Sequence, residues 1–379
     1  MRASFRLGRI VGVPVGVNWS VLVIFALIAW GLSANVLPRG YPGNPGWAYV
    51  VAGFTAAVVF FLGLLAHEVS HAVVAKRNGL SVAGITLWLF GGVAELRGEA
   101  RSPGAELRIA GIGPLVSLVL GLAFGGLAVA LALAGQAGLV FGAVAWLAGI
   151  NILLAIFNIL PAAPLDGGRV LRAALWKWRG DRNWAAVTAA RAGRFLGLAL
   201  IVFGLWQFLI GPAIGALWLA LIGWFLIAAA GAEEQQARVG GALTGVRVRD
   251  VMTPEPQTVA SNVSVADFVD HYLFAYRHSA LPLTENDHPV GLVTLDRVRQ
   301  VPADQRGATA LGEVACRSEE LVTATPEEPL VDLLPRLSEC SDGRALVVSD
   351  GQLVGIVSPS DISRAVQRGS LRDRARQSG

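Results

Sequence analysis

From Trp47 to His71 the chain reads WAYVVAGFTAAVVFFLGLLAHEVSH, an apolar run long enough to cross a bilayer that closes on His67-Glu68-Val69-Ser70-His71. Residues four apart share one face of a helix, so both imidazoles can serve a single metal ion. Glu68 then stands beside that ion as a general base. In a soluble helix such a motif is often accidental. Three ionisable side chains in a lipid-buried helix are costly, so here function is the default reading. The membrane half holds no other histidine. The pattern predicts metal-dependent hydrolysis within a membrane.

Composition agrees with a membrane location. Hydrophobic residues make up 54% of the chain, charged residues 15%, and the mean hydropathy is +0.56. These values are too apolar for an ordinary soluble protein. The apolar residues crowd before about Gly231 and charge rises after it. The net charge of +4 does not mark a nucleic-acid binder, because the arginines of the first half flank apolar segments.

Six spans are predicted, over 17–36, 48–75, 105–133, 139–161, 186–210 and 213–231. The first is a span rather than a cleaved leader, since it is long for a signal peptide. Lys and Arg collect before the first span, between the second and third, and between the fourth and fifth; the opposite loops hold only Arg39. That asymmetry predicts both termini in the cytosol.

Between the second and third spans, Ile85 to Leu96 forms two β-rich runs around Gly91-Gly92. One reading is a hairpin whose exposed strand pairs with an extended substrate. The other is a re-entrant loop packed against the bundle. A catalytic zinc takes three protein ligands. The best third ligand is Asp166, the acid attached to the fourth span, where Pro161, Pro164 and Gly167-Gly168 break the helix.

His67-Glu68-x-x-His71, Leu89-Phe90-Gly91-Gly92, Gly111-x-Gly113-Pro114 and Asn158…Pro164-Leu165-Asp166-Gly167-Gly168-Arg169 occur in an order that resembles the site-2 protease family of intramembrane metalloproteases. The resemblance covers about residues 45–175. It implies one Zn2+ per chain on His67, His71 and Asp166, Glu68 as catalytic base, and Asn158 near the substrate or its oxyanion. Asn151 is a weaker candidate that fits an interhelical hydrogen bond. The loop from about Ala134 to Gly138 leaves no room for the inserted PDZ domain of one branch of the family. The implied partners are the lipid bilayer and membrane-embedded protein substrates such as anti-sigma or pro-sigma factors, with no nucleic acid. The implied location is the cell membrane.

Residues 246–367 hold two similar units, a sign of duplicated modules. Val251-Met252-Thr253-Pro254 and two Gly-x-Val/Ile closing strands resemble a pair of CBS domains. The resemblance implies that Ser358 and Asp361 hold the ribose of ATP, ADP or AMP; the first unit has Thr294 but Arg297 at the matching spacing. A ligand-free module that forms a homodimer is the other reading. Cys316 and Cys340 lack CxxC spacing and are expected as reduced thiols.

The expected fold is a multi-pass α-helical membrane protein with a small re-entrant β element, followed by a soluble α/β tandem CBS pair. Its expected boundaries are 1–232 for the metalloprotease domain, 233–247 for a linker, 248–302 and 310–367 for the CBS domains, and 368–379 for a disordered basic tail. The competing function is a CBS-gated transporter or channel with His67, Glu68, His71 and Asp166 as an ion path. A permeation path does not require metal-ligand spacing and a third ligand beside a Gly-Gly turn.

Overall fold

The computed structural model describes residues 4–88, 91–98, 100–211, 214–272, 279–285, 288–317, 319–337 and 340–377. Leu89 and Phe90 of the resemblance therefore lie outside the described residues. The chain divides into two compact units, Met1–Gln235 and Gln236–Gly379, each described by itself.

In the first unit, β1 (Phe5–Ile10) and β2 (Val13–Val17) form a hairpin that sequence reading left unassigned. α1 (Ser20–Gly31) and α2 (Leu37–Gly40) follow, joined by a wider helical turn over Leu32–Val36. Then come α3 (Gly46–Arg77), β3 (Ser81–Trp88), β4 (Gly91–Arg97), α4 (Pro103–Leu133) and α5 (Leu139–Ile159). α6 (Asp166–Arg179), α7 (Arg182–Ile210) and α8 (Ile214–Ala242) complete the series. Among the described residues, six helical stretches are long and apolar enough to span a membrane: Ser20–Gly40, Gly46–Arg77, Pro103–Leu133, Leu139–Ile159, Arg182–Ile210 and Gly215–Ala242.

The Gly91-Gly92 region is a hairpin. Strand order is β1-β2-β3-β4, with β2 and β3 parallel and the outer pairs antiparallel. Val13 and Val15 of β2 and Ile85 of β3 pack on Ala72 of α3, which fixes the sheet to the motif helix. Asp166 is not an appendage of the fourth span. It opens α6, because Leu160 and Leu165 are extended and Pro161 and Pro164 cannot continue a helix.

In the second unit the helices are short: α9 (Val265–Asp267), α10 (Leu295–Arg299), α11 (Leu311–Val314) and α12 (Leu330–Leu333), before α13 (Pro359–Gln377). One sheet runs β6 (Val259–Ala260), β7 (Ala280–Glu285), β8 (His288–Thr294), β9 (Cys316–Arg317). The other runs β10 (Thr323–Ala324), β11 (Ala345–Ser349), β12 (Gln352–Val357), β5 (Thr253–Pro254). Each repeat thus lends its opening strand to the other repeat's sheet.

Three expectations are corrected here. Most of the expected linker is helical, since α8 continues to Ala242 and the following Leu243 enters the second core. The expected disordered tail continues α13 to Gln377, a helix anchored in that core by Ala365 and Val366. Cys316 and Cys340 form a disulfide with Cα atoms 5.7 Å apart. The 24-residue separation hides the pairing in sequence, because only the departure of β9 to the first repeat's sheet brings Cys316 beside the turn before β11.

Candidate metal centre

The four-residue spacing on α3 sets the two imidazoles edge to face, with ring centroids 4.9 Å apart and Nε2 atoms 3.2 Å apart. α6 brings Asp166 Oδ2 to 3.2 Å from His67 Nε2 and 3.1 Å from His71 Nε2. His67, Glu68 and His71 are buried. Burial by itself would raise the Asp166 carboxyl; its hydrogen bonds with both histidines outweigh that and hold it below the usual carboxylate range.

Helix α4 fixes the outer ring nitrogens. His71 Nδ1 donates to the Ile109 carbonyl at 2.6 Å. A carbonyl only accepts, so Nδ1 carries a proton, and in the neutral ring Nε2 is the nitrogen that would offer its lone pair to a metal ion. His67 Nδ1 lies 2.9 Å from Ser117 Oγ, and Ser117 is fully buried. Two imidazole nitrogens and a carboxylate oxygen are the donor set of a catalytic zinc. Their mutual separations of 3.1–3.2 Å approach the ~3.3 Å edge of a tetrahedron with zinc-like bond lengths. The residues therefore fit the ion.

Two glycines of the sequence motifs make this convergence possible. A Cβ on Gly113 would lie 2.2 Å from His71 Nε2 and 2.5 Å from His67 Nε2. One on Gly92 would lie 2.2 Å from Glu68 Cγ. Thus α4 and β4 press their backbones against the motif helix at the two points where its chemistry sits.

The remaining sequence candidates fall elsewhere. Asn158 donates to the Leu154 carbonyl of its own helix at 3.1 Å, rather than to the cluster. Asn151 is buried and donates to Leu147 O at 2.8 Å. In the second unit Asp361 Oδ2 accepts from the Ser358 amide at 2.9 Å and from Ser358 Oγ at 2.5 Å. Both line a pocket of about 370 Å³ with Ser279, Pro282, Ser360 and Arg344. Thr294 is buried, and Arg297 turns to the carbonyl and sulfur of Cys340. Cys316, Glu320 and Cys340 also group their ligand atoms, but the disulfide occupies both sulfurs.

Sequence reading missed Ser117, the Ile109 carbonyl and helix α6. Ser117 had a signal: it lies one turn after Gly113, on the same face of α4.

The profile of peptidase family M50 matches residues 55–204, and that of the CBS domain matches 248–304 and 311–368. Rip3, a candidate zinc metalloprotease of Mycobacterium tuberculosis, is 46% identical over 368 residues, covering 97% of this chain and 93% of the relative. The chain belongs to peptidase family M50. It is a site-2-type metalloprotease of the membrane, with a tandem CBS pair. The zinc metalloprotease MJ0392 of Methanocaldococcus jannaschii is 28% identical over 370 residues, 97% of each chain. The solved site-2 protease from that organism, 28% identical, covers 61% of this chain and 94% of its own, with a TM-score of 0.43. The transporter alternative is set aside by this membership.

Proposed function

We propose that this M50 peptidase holds zinc on His67, His71 and Asp166 and cleaves membrane-embedded protein segments with Glu68 as general base. The observation that carries the reading is the meeting of the three ligand atoms, within 4.8 Å of one another, on two buried histidines and a half-buried aspartate. When bound there, zinc supplies Lewis acidity that polarises a peptide carbonyl and acidifies water. Glu68 takes the proton from the attacking water and passes it to the leaving amine. The Ile109 carbonyl and Ser117 hold the histidines in position, and close-packed Gly92 and Gly113 keep the surrounding space small.

A helical substrate hides its carbonyls in hydrogen bonds, so it must unwind to be cut. β4 is an edge strand, and its Gly92 touches Glu68. An extended substrate segment pairs along that edge, which brings its carbonyls to the base. Tethered anti-sigma or pro-sigma factors fit this chemistry. Lys76 and Arg77 close α3 soon after His71, which supports a site near the cytosolic leaflet of the cell membrane with both termini in the cytosol. The CBS pair regulates cleavage by binding an adenosine nucleotide in the pocket that holds Ser358, Asp361 and the cationic Arg344, and it joins two chains as a homodimer.

Metal analysis of detergent-purified protein tests the ligand set. Wild type is expected to carry about one zinc per chain, lost or sharply reduced in His67→Ala and Asp166→Ala. Well-folded wild type that takes up no zinc when zinc is supplied would sink the reading.

A further inference from the structure

Outside the cluster, the first unit gathers a second set of ionisable groups around one buried carboxylate. Glu106, in the first turn of α4, is fully buried. Arg172 of α6 donates to its Oε1 through Nε at 2.6 Å and also through Nη2. Glu106 Oε2 has no hydrogen-bond partner among the described residues. Arg169, one turn from Asp166 on α6, interacts electrostatically with Arg172, Glu106, Asp166 and Glu233. Two cations and three carboxylates thus share one region.

A buried ion pair is weak evidence for stability, because apolar residues of similar volume often do as well or better. Its geometry is another matter. A guanidinium fork that engages a carboxylate through two nitrogens fixes direction as well as distance. Helices α4 and α6 pack along each other; α4 supplies the partners of the α3 histidines, and α6 supplies Asp166. Glu106 lies one turn before Ile109, whose carbonyl orients His71; further along α4, Ser117 contacts His67. Asp166 is the first residue of α6, less than two turns from Arg172. The pair therefore ties the helix that aims the histidines to the helix that bears the carboxylate.

We propose that the Glu106–Arg172 pair is a positioning device for the metal centre, fixing Asp166 of α6 against the α4 face that orients His67 and His71. The inference rests on the ligand set proposed above. Neither residue touches the metal or the substrate; both act through the placement of Asp166.

Cobalt(II) titration of the full-length protein in detergent tests it, read by visible absorption. Glu106→Gln and Arg172→Gln are expected to bind one cobalt per chain with a 10- to 100-fold higher Kd and an altered ligand-field spectrum, the range seen for outer partners of metal ligands. The double variant is expected to bind no more weakly than either single, because one interaction is lost in all three. Arg172→Lys keeps the charge without the fork, and it should lie between wild type and Arg172→Gln; if the other variants fail to fold, it decides alone. Variants with lowered thermal stability but wild-type cobalt affinity and spectrum would overturn the inference. Wild type that binds no cobalt, or Asp166→Ala that binds it like wild type, would overturn the ligand set and the inference together.

Discussion

The two units treat burial in opposite ways. In the membrane unit, large apolar side chains such as Phe54, Leu62, Leu122 and Leu153 face outward, and the interior collects His67, Glu68, His71, Glu106, Ser117 and Asn151. In the CBS unit, Leu283, Leu311, Leu330 and Val347 form apolar cores, and buried polar groups among the described residues are few: Thr294, Ser341 and Asp361. Lipid removes the usual reward for burying apolar surface, so small residues and polar contacts hold such helices together. Buried polar residues in the first unit therefore include the candidate metal centre and its partners, whereas in the second they more often complete a turn or cap. Ser341, which donates to Arg344 O within one turn, is an example.

That contrast can be broken. Glu68→Gln should leave zinc bound while lowering kcat by about 10²- to 10⁴-fold, the usual contribution of a general base; parallel metal analysis and cleavage assays with a membrane substrate read both. Loss of zinc in this variant would mean that Glu68 shapes the metal site instead of serving it as base. Ser117→Ala removes the partner of His67 Nδ1 and should weaken zinc about 10- to 100-fold in a competition titration with a chelator. An unchanged affinity would reduce Ser117 to packing. The smallest expected effect on the metal belongs to the other unit. Asp361→Ala should abolish binding of ATP, ADP or AMP in calorimetry and leave the zinc content at wild-type level. Wild type that binds none of the three would leave the CBS pair as an assembly module and end the nucleotide reading.

Legibility follows the same divide. His67, Glu68, His71 and Asp166 stand out in the sequence because charge inside an apolar chain is conspicuous, and the structure brings the two histidines and the aspartate together. Gly92 and Gly113 were visible as motif letters, but their purpose was not. Only the approach of α4 and β4 to the motif helix reveals it. Helix α6 was hidden because its many basic residues read as a connecting loop, although Val170, Ala173 and Trp176 follow helical spacing. β1 and β2 were hidden by their shortness and glycines. The Cys316–Cys340 pairing depends on a strand that leaves its own repeat, which no local pattern encodes.

That exchange of strands has a consequence of its own. β5 edges the sheet built by the second repeat, and β9 edges the sheet built by the first. Excising one repeat would strip the other of a border strand and bare a row of unpaired amides and carbonyls. The two halves are therefore mortgaged to each other. The chain holds two copies of the unit, but a deletion that respects the repeat boundary would still cut through a shared sheet.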